Sequence, residues 1–280
     1  MRPFQQVDVF SPQPLRGNPV AVVHDAEVLS TEQMERFTRW TNLSEAAFLL
    51  PPTAPTADYR VRIFTSGGEL SFAGHPTLGS CHAWLAAGGQ PRDRGEFIQE
   101  CDLGLIPIRR VDGMLEFRAP PIVRSGPVDS ALLRRISGIL GVDDAAIVDS
   151  QWVDNGPGWV AVMLESADAV LALRPVGDGG SPIDVGVVGP YPVGSECAYE
   201  VRAVFSDGHG GMIEDPVTGS LNASLAQWLI GSGRYAAPYV ASQGTAIGRA
   251  GRPRISQDAD GAIWVGGDTR TTIEGRVDVA

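Results

Sequence analysis

The chain contains no lysine; all 22 of its basic residues are arginine. A Schiff-base aldolase, a pyridoxal phosphate enzyme and a P-loop each need a lysine amine, so these chemistries are excluded. Cysteine is nearly as scarce. Cys81, Cys101 and Cys197 lie far apart with no CxxC pairing, which gives neither a disulfide framework nor a zinc site. The four histidines, His24, His75, His82 and His209, form no HExxH, so no catalytic metal is expected. No GxGxxG follows a strand-like run, which leaves no fingerprint for a dinucleotide. There is no basic start followed by an apolar run, and no stretch approaches the roughly 18 apolar residues of a spanning helix. The expectation is a soluble, cytoplasmic protein with no membrane partner. Positive charge is also in deficit: the net charge is −11 with scattered arginines, which argues against nucleic acid as a partner. Chemistry is left to carboxylates, histidine and backbone dipoles, with no cofactor.

What is present is a chain that can bury a core: 280 residues, 43% hydrophobic and 20% charged. Apolar runs predict strands at Phe4–Phe10, Val20–His24, Ala46–Leu50 and Tyr59–Thr65, with more between Phe97 and Phe117. A helix is expected over Ser30–Trp40, capped by Ser30 with Gln33 three residues on, its covered face carrying Leu29, Met34, Phe37 and Trp40. A second should run from about Pro76 to Ala87 and stop at Gly88 and Gly89. A third is expected at Ser130–Leu140. Ala119-Pro120-Pro121 breaks the pattern and is the predicted crossing between two halves.

The halves repeat. His75-Pro-Thr-Leu-Gly-Ser-Cys-His-Ala-Trp-Leu-Ala86 aligns without gaps on Asp215-Pro-Val-Thr-Gly-Ser-Leu-Asn-Ala-Ser-Leu-Ala226, an offset of 140 residues in a chain of 280. Proline, glycine, serine, two alanines and leucine recur at matching positions. Val61-Arg62 falls opposite Val201-Arg202 at the same offset. Two domains of one plan follow, about 1–118 plus 268–280 and 119–267.

In each copy the residue before proline suits a helix N-cap, and proline suits the first helical position. A helix start presents unpaired amides and a partial positive charge. Two such ends facing one cleft would hold a carboxylate and stabilise an adjacent enolate. Gly74 and Gly219 permit close approach of a ligand, while Gly79 reads as helix packing. Ser80 and Ser220 add hydroxyls, and His75 and Asp215 occupy matching positions, where each can bind substrate or simply cap. Glu214 reads equally well as a solvated charge. Glu45 lies where the polar corner Asn42-Leu-Ser-Glu45 enters an apolar strand; partial burial there would suit a group that takes and returns a proton. By residue type alone it is one acid among 33.

The strings Arg16-Gly-Asn-Pro-Val-Ala-Val-Val23, Asn42-Leu-Ser-Glu45, Phe72-Ala-Gly-His-Pro-Thr-Leu-Gly79, Glu214-Asp-Pro-Val-Thr-Gly-Ser220, Ser242-Gln-Gly and Val265-Gly-Gly resemble, in order, the motifs of the phenazine-biosynthesis isomerase (PhzF-like) family. The resemblance implies an α+β fold similar to diaminopimelate epimerase: two pseudo-symmetric domains, each a β-barrel-like sheet around a central helix. It implies that Glu45 transfers the proton and that Gly74, His75, Asp215, Gly219 and Ser220 bind substrate. It also implies a mechanism without the epimerases' two cysteines, and commonly a homodimer. Leu221 and Asn222 depart from the family's alanine and histidine, which leaves the substrate open. His209, in Asp207-Gly-His-Gly-Gly211, reads as a turn residue.

The function expected is a cofactor-independent isomerase acting on a small carboxylate-bearing metabolite, of the kind found in secondary-metabolite biosynthesis. The alternatives are an epimerase or racemase of a small acid, told apart by the product's optical rotation, and a non-catalytic carboxylate-binding protein. The last would exchange no carbon-bound hydrogen with heavy water.

Overall fold

The computed structural model describes residues 1–93 and 95–279, which form two compact units, 1–118 with 264–279 and 119–263. The first opens with β1 (Arg2–Val9), β2 (Asn18–Val23), α1 (Thr31–Thr41), β3 (Ala46–Leu50), β4 (Tyr59–Thr65), β5 (Gly68–Leu70), α2 (Gly74–Ala86), β6 (Glu96–Cys101), β7 (Gly104–Val111) and β8 (Met114–Arg118). The second holds β9 (Arg124–Gly126), α3 (Ser130–Leu140), β10 (Asp149–Asp154), β11 (Trp159–Met163), α4 (Ala167–Ala172), β12 (Asp184–Pro190), β13 (Tyr199–Ser206), β14 (Met212–Asp215), α5 (Gly219–Gly231), β15 (Tyr239–Val240), β16 (Ser242–Gln243) and β17 (Arg254–Gln257). The chain then returns through β18 (Ile263–Gly267) and β19 (Thr269–Val277). The return falls at Trp264 and not at 268, because β18 pairs antiparallel with β8, Trp264 opposite Arg118.

In the first unit the strand order is β18-β8-β7-β6-β4-β3-β2-β1-β19, with β5 beside β4. β19 follows β18 after Asp268 alone and pairs antiparallel with β1, which bends the sheet around its helix. It wraps α2, which touches β1, β2, β3, β4, β6, β8 and β19. That helix has no strongly polar face, and its residues from Gly74 to Cys81 are all buried, as in a helix enclosed by a sheet. It closes with the Gly88 amide on the Leu85 carbonyl and the Gly89 amide on the Trp84 carbonyl, Gly88 at φ 92°.

α1 lies outside the barrel and has the predicted capping box: Ser30 Oγ accepts from the Gln33 amide, and Gln33 Oε1 accepts from the Ser30 amide. Its buried face is Met34, Phe37 and Thr38, and Trp40 is 76% exposed, contrary to the sequence expectation. Six residues beyond Met34, Trp40 is rotated well away from the i, i+3, i+4 stripe.

The second unit's sheet runs β14-β13-β12-β11-β10-β9, with β16 beside β13; β15 pairs with β17. Alternation along β11 sets its two cores. Trp159, Ala161 and Met163 pack with Leu221, Leu225, Trp228 and Leu229 of α5, whereas Val160 and Val162 pack with Ile136 and Ile139 of α3 and Val170 of α4. Each unit is therefore a sheet about one apolar helix, the α+β architecture expected, and α2 and α5 are each 13 residues long.

The helix starts correct the sequence reading. α2 begins at Gly74 with Ala73 as N-cap, so His75 lies inside the first turn. Asp215 is the last residue of β14, and α5 starts at Gly219 with Thr218 as N-cap. Gln243 caps the Thr218 amide, and the N-cap lies three residues beyond Asp215. By helix start the equivalent residues are Gly74 with Gly219 and His75 with Ser220, an offset of 145 residues and not 140.

Candidate active site

In the first unit three motifs converge on one imidazole. His75, in the first turn of α2, is buried with its Nδ1 3.2 Å from Nδ2 of Asn18, the first residue of β2. Its Nε2 lies 3.4 Å from Oε2 of Glu45, which immediately precedes β3 and keeps 14% of its side-chain surface exposed. Burial drives the His75 pKa down to about 3, against the opposing pull of the Pro19 carbonyl. At neutral pH the ring is therefore uncharged, and the contact sets a carboxylate against a neutral imidazole. Gly74 is buried beside His75.

The scaffold behind this pair is polar and tight. Asp8 of β1 is buried, and its Oδ1 accepts the Gly17 amide at 3.0 Å, holding the loop that delivers Asn18. A side chain at Gly17 would place Cβ 2.2 Å from the Val9 carbonyl oxygen, so only glycine permits this approach. Gly79 is a packing residue as expected: a Cβ there would sit 2.3 Å from Val20 Cγ1. The first turn of α2 is pinned to β4 and β6 by a buried chain in which Tyr59 Oη donates to Gln99 Oε1, Gln99 Nε2 donates to Thr77 Oγ1, and Thr77 Oγ1 donates to the Ala73 carbonyl.

In the second unit Asp215, Gly219 and Ser220 gather at the start of α5, organised by a glutamine. Gln243 Oε1 accepts from the Thr218 amide at 3.0 Å and from Asn222 Nδ2 at 2.7 Å, while its Nε2 donates to the Asp215 carbonyl and to Thr218 Oγ1. Thr218 Oγ1 donates in turn to Asp215 Oδ2 at 2.6 Å. Ser220 receives Trp159 Nε1 on its hydroxyl and Asn155 Nδ2 on its carbonyl. Asn222, a departure from the family pattern, is thus part of the helix start, and Leu221 fills the space over Gly186, where a Cβ would lie 2.5 Å from its Cδ1.

Other sequence candidates resolve differently. Glu214 is not a solvated charge: it forms a largely buried ion pair with Arg202 at 2.6 Å, and the same guanidinium donates to the Val170 and Leu173 carbonyls. His209 sits in an exposed bend whose amide is held by Asp207. All three cysteines are buried thiols; that of Cys81, within α2, is pushed up to about 12 by burial. Among the described residues no three His, Cys, Asp or Glu side chains are arranged to hold a metal ion, and no helix is long and apolar enough to cross a membrane. Sequence reasoning missed Asn18, Asp8 and Gln243 as positioning groups. Asn18 and Gln243 stood inside quoted motifs, but no spacing rule marks a residue whose partner is 57 or 25 positions away.

The chain is similar to known proteins over its full length. A family model described as "Phenazine biosynthesis-like protein" (PhzC-PhzF) matches residues 7–277. "Antisense-enhancing sequence 1" of Schizosaccharomyces pombe is 34% identical, covering 98% of this chain and 97% of that one. The trans-2,3-dihydro-3-hydroxyanthranilate isomerase of Pseudomonas aeruginosa is 32% identical, with 99% of each chain covered. A solved structure described as a predicted epimerase from Pseudomonas aeruginosa superposes with a TM-score of 0.81 at 26% identity, covering 99% of both chains.

Proposed function

From the premise that this chain belongs to the phenazine biosynthesis-like (PhzF) family and is an isomerase, we propose that it shifts a proton between two carbons of a small carboxylate-bearing metabolite, with Glu45 as the acid/base. The observation that carries this reading is Glu45 Oε2 facing the Nε2 of a buried, neutral His75. A carboxylate at the rim of an apolar strand, partly open and partly enclosed, can meet a substrate C–H and exchange its proton. The ionised Glu45 takes a proton from an sp³ carbon conjugated to the substrate's acid group; the electron pair delocalises into that π-system, and the same carboxyl returns the proton at another carbon. Atoms and charge balance with no cofactor, consistent with a chain that has no lysine amine for a Schiff base.

The relative named for dihydro-hydroxyanthranilate suggests the substrate class: cyclic unsaturated amino or hydroxy acids. A two-thiol epimerisation has little support here, because Cys81 is buried with its thiol pushed up to about 12. Nor does the net charge of −11 favour a nucleic acid ligand. A soluble cytoplasmic homodimer remains the expectation for its working form.

The test is Glu45→Gln assayed for turnover and for solvent deuterium uptake into such acids. Turnover should fall by about 10²- to 10⁴-fold while substrate still binds. A variant with full turnover would sink the assignment.

A further inference from the structure

We propose that Asn18 is a positioning residue that fixes the tautomer of His75 so that the ring's single hydrogen faces Glu45. The inference rests on the reading of Glu45 as the acid/base and goes beyond it by assigning how the neighbouring imidazole is poised.

An amide nitrogen has hydrogens and no lone pair to offer. With Asn18 Nδ2 3.2 Å from His75 Nδ1, that ring nitrogen must accept, and a neutral ring then carries its hydrogen on Nε2. Nε2 is the atom 3.4 Å from Glu45 Oε2. Burial holds the ring neutral, so it cannot satisfy both sides by taking a second proton; the choice of tautomer decides what Glu45 meets. As Nε2–H it offers the carboxylate a donor and favours the ionised form that can accept a proton from carbon. With the hydrogen on Nδ1 it would turn a lone pair toward Glu45 and favour the protonated acid. The Pro19 carbonyl, which also hydrogen-bonds the ring, competes with Glu45 for that single hydrogen, so burial alone does not set the tautomer.

Asn18 is itself fully buried and held in place. It opens β2 opposite Val9, immediately after Gly17, whose amide is bound by Asp8 Oδ1 and whose lack of Cβ lets the loop close on β1. Glu45 immediately precedes β3. It stands one residue before the pairs Ala21–Ala46 and Ala46–Phe64, level with Val20 on β2 and Thr65 on β4. Further along those elements Arg62 is bound to Glu69, and in α1 Arg39 is paired with Glu35. His75 is in direct contact with Glu45.

The experiment is ¹⁵N NMR of the histidine rings, with His75 assigned by His75→Gln, in the wild type, Asn18→Leu and Asn18→Asp, beside the pH profile of kcat/KM. The wild type should show a pyridine-type Nδ1 and a pyrrole-type Nε2. Asn18→Asp, which can only accept, should reverse them. Asn18→Leu should raise the acid limb of the profile by about one unit, because Glu45 then faces a ring lone pair in place of an N–H, with KM little changed. A wild-type ring with its hydrogen on Nδ1, or an Asn18→Asp protein that folds with the tautomer unaltered, would overturn the proposal. A fully active Glu45→Gln variant would instead remove the functional reading, and the spectra, taken without substrate, would still decide the role of Asn18.

Discussion

At the scale of single residues, the site is built from groups that cannot be exchanged for near neighbours. Gly17 is one. Gly17→Ala would drive a methyl into the Val9 carbonyl oxygen 2.2 Å away, and relief requires moving the loop that presents Asn18. The variant should lose about 1–3 kcal/mol in denaturant unfolding, the usual cost of forcing extra volume into a packed site. Its turnover should fall further than that of Gly138→Ala, where an added Cβ meets nothing within 4 Å. Equal activity of the two variants would show that the loop position is irrelevant. Glu45 offers the opposite lesson. Nothing in its own sequence surroundings separates it from the other 32 acids; only its contact with His75 and the family motif do so.

At the scale of elements, the two buried helices are started by different devices. α2 leaves an extended Ala73 directly into a helical turn, pinned from the side by Thr77 and Gln99. α5 is delayed until Thr218, where Gln243 caps the amide and ties Asn222, Thr218 and Asp215 together. Gln243→Leu would leave a buried amide and a buried carboxamide without their acceptor. At about 1–3 kcal/mol for each stranded group, a loss of roughly 2–6 kcal/mol is expected, read as a lower midpoint in urea with an unchanged slope. A variant as stable as the wild type would mean that water replaces the glutamine. The repeat itself was legible in sequence, since both segments do lead into buried helices. Its register was not: identical letters 140 residues apart hid helix starts that are 145 apart, because capping depends on a glutamine from a distant strand.

At the scale of the whole molecule, acid should act through histidine before it acts through carboxylates. His24, His75 and His82 all have pKa values lowered chiefly by burial, His75 to about 3. The unfolded chain takes up these protons near pH 6.5, whereas the folded chain refuses them until lower pH. Stability is therefore fully present above pH 6.5 and is lost as pH falls toward the folded values. Asp184 works in the other direction: burial and the neighbouring Asp154 push it up to about 6, so its burial costs stability above that value, a cost relieved toward pH 4. One such acid does not offset three histidines. Unfolding free energy should already decline between pH 6.5 and 5, with a slope of up to about 1.4 kcal/mol per pH unit from His75, to which His24 and His82 add in the same direction. Denaturant titrations at pH 7.5, 6 and 5 would measure it, and a flat profile would contradict the burial of these rings as neutral groups.

The sequence alone determined the chemistry the chain can attempt and the elements from which it is made. Absence of lysine is a fact of composition, and strands such as Ala46–Leu50 and helices such as Ser130–Leu140 follow from local periodicity and capping, which need only neighbours in the chain. Tertiary structure decided which polar groups meet. Asn18, Glu45 and His75 come from three separate segments, and their contacts depend on α2 packing against β2 and β3. Burial, which neutralises His75, is a property of that enclosure and of no residue by itself.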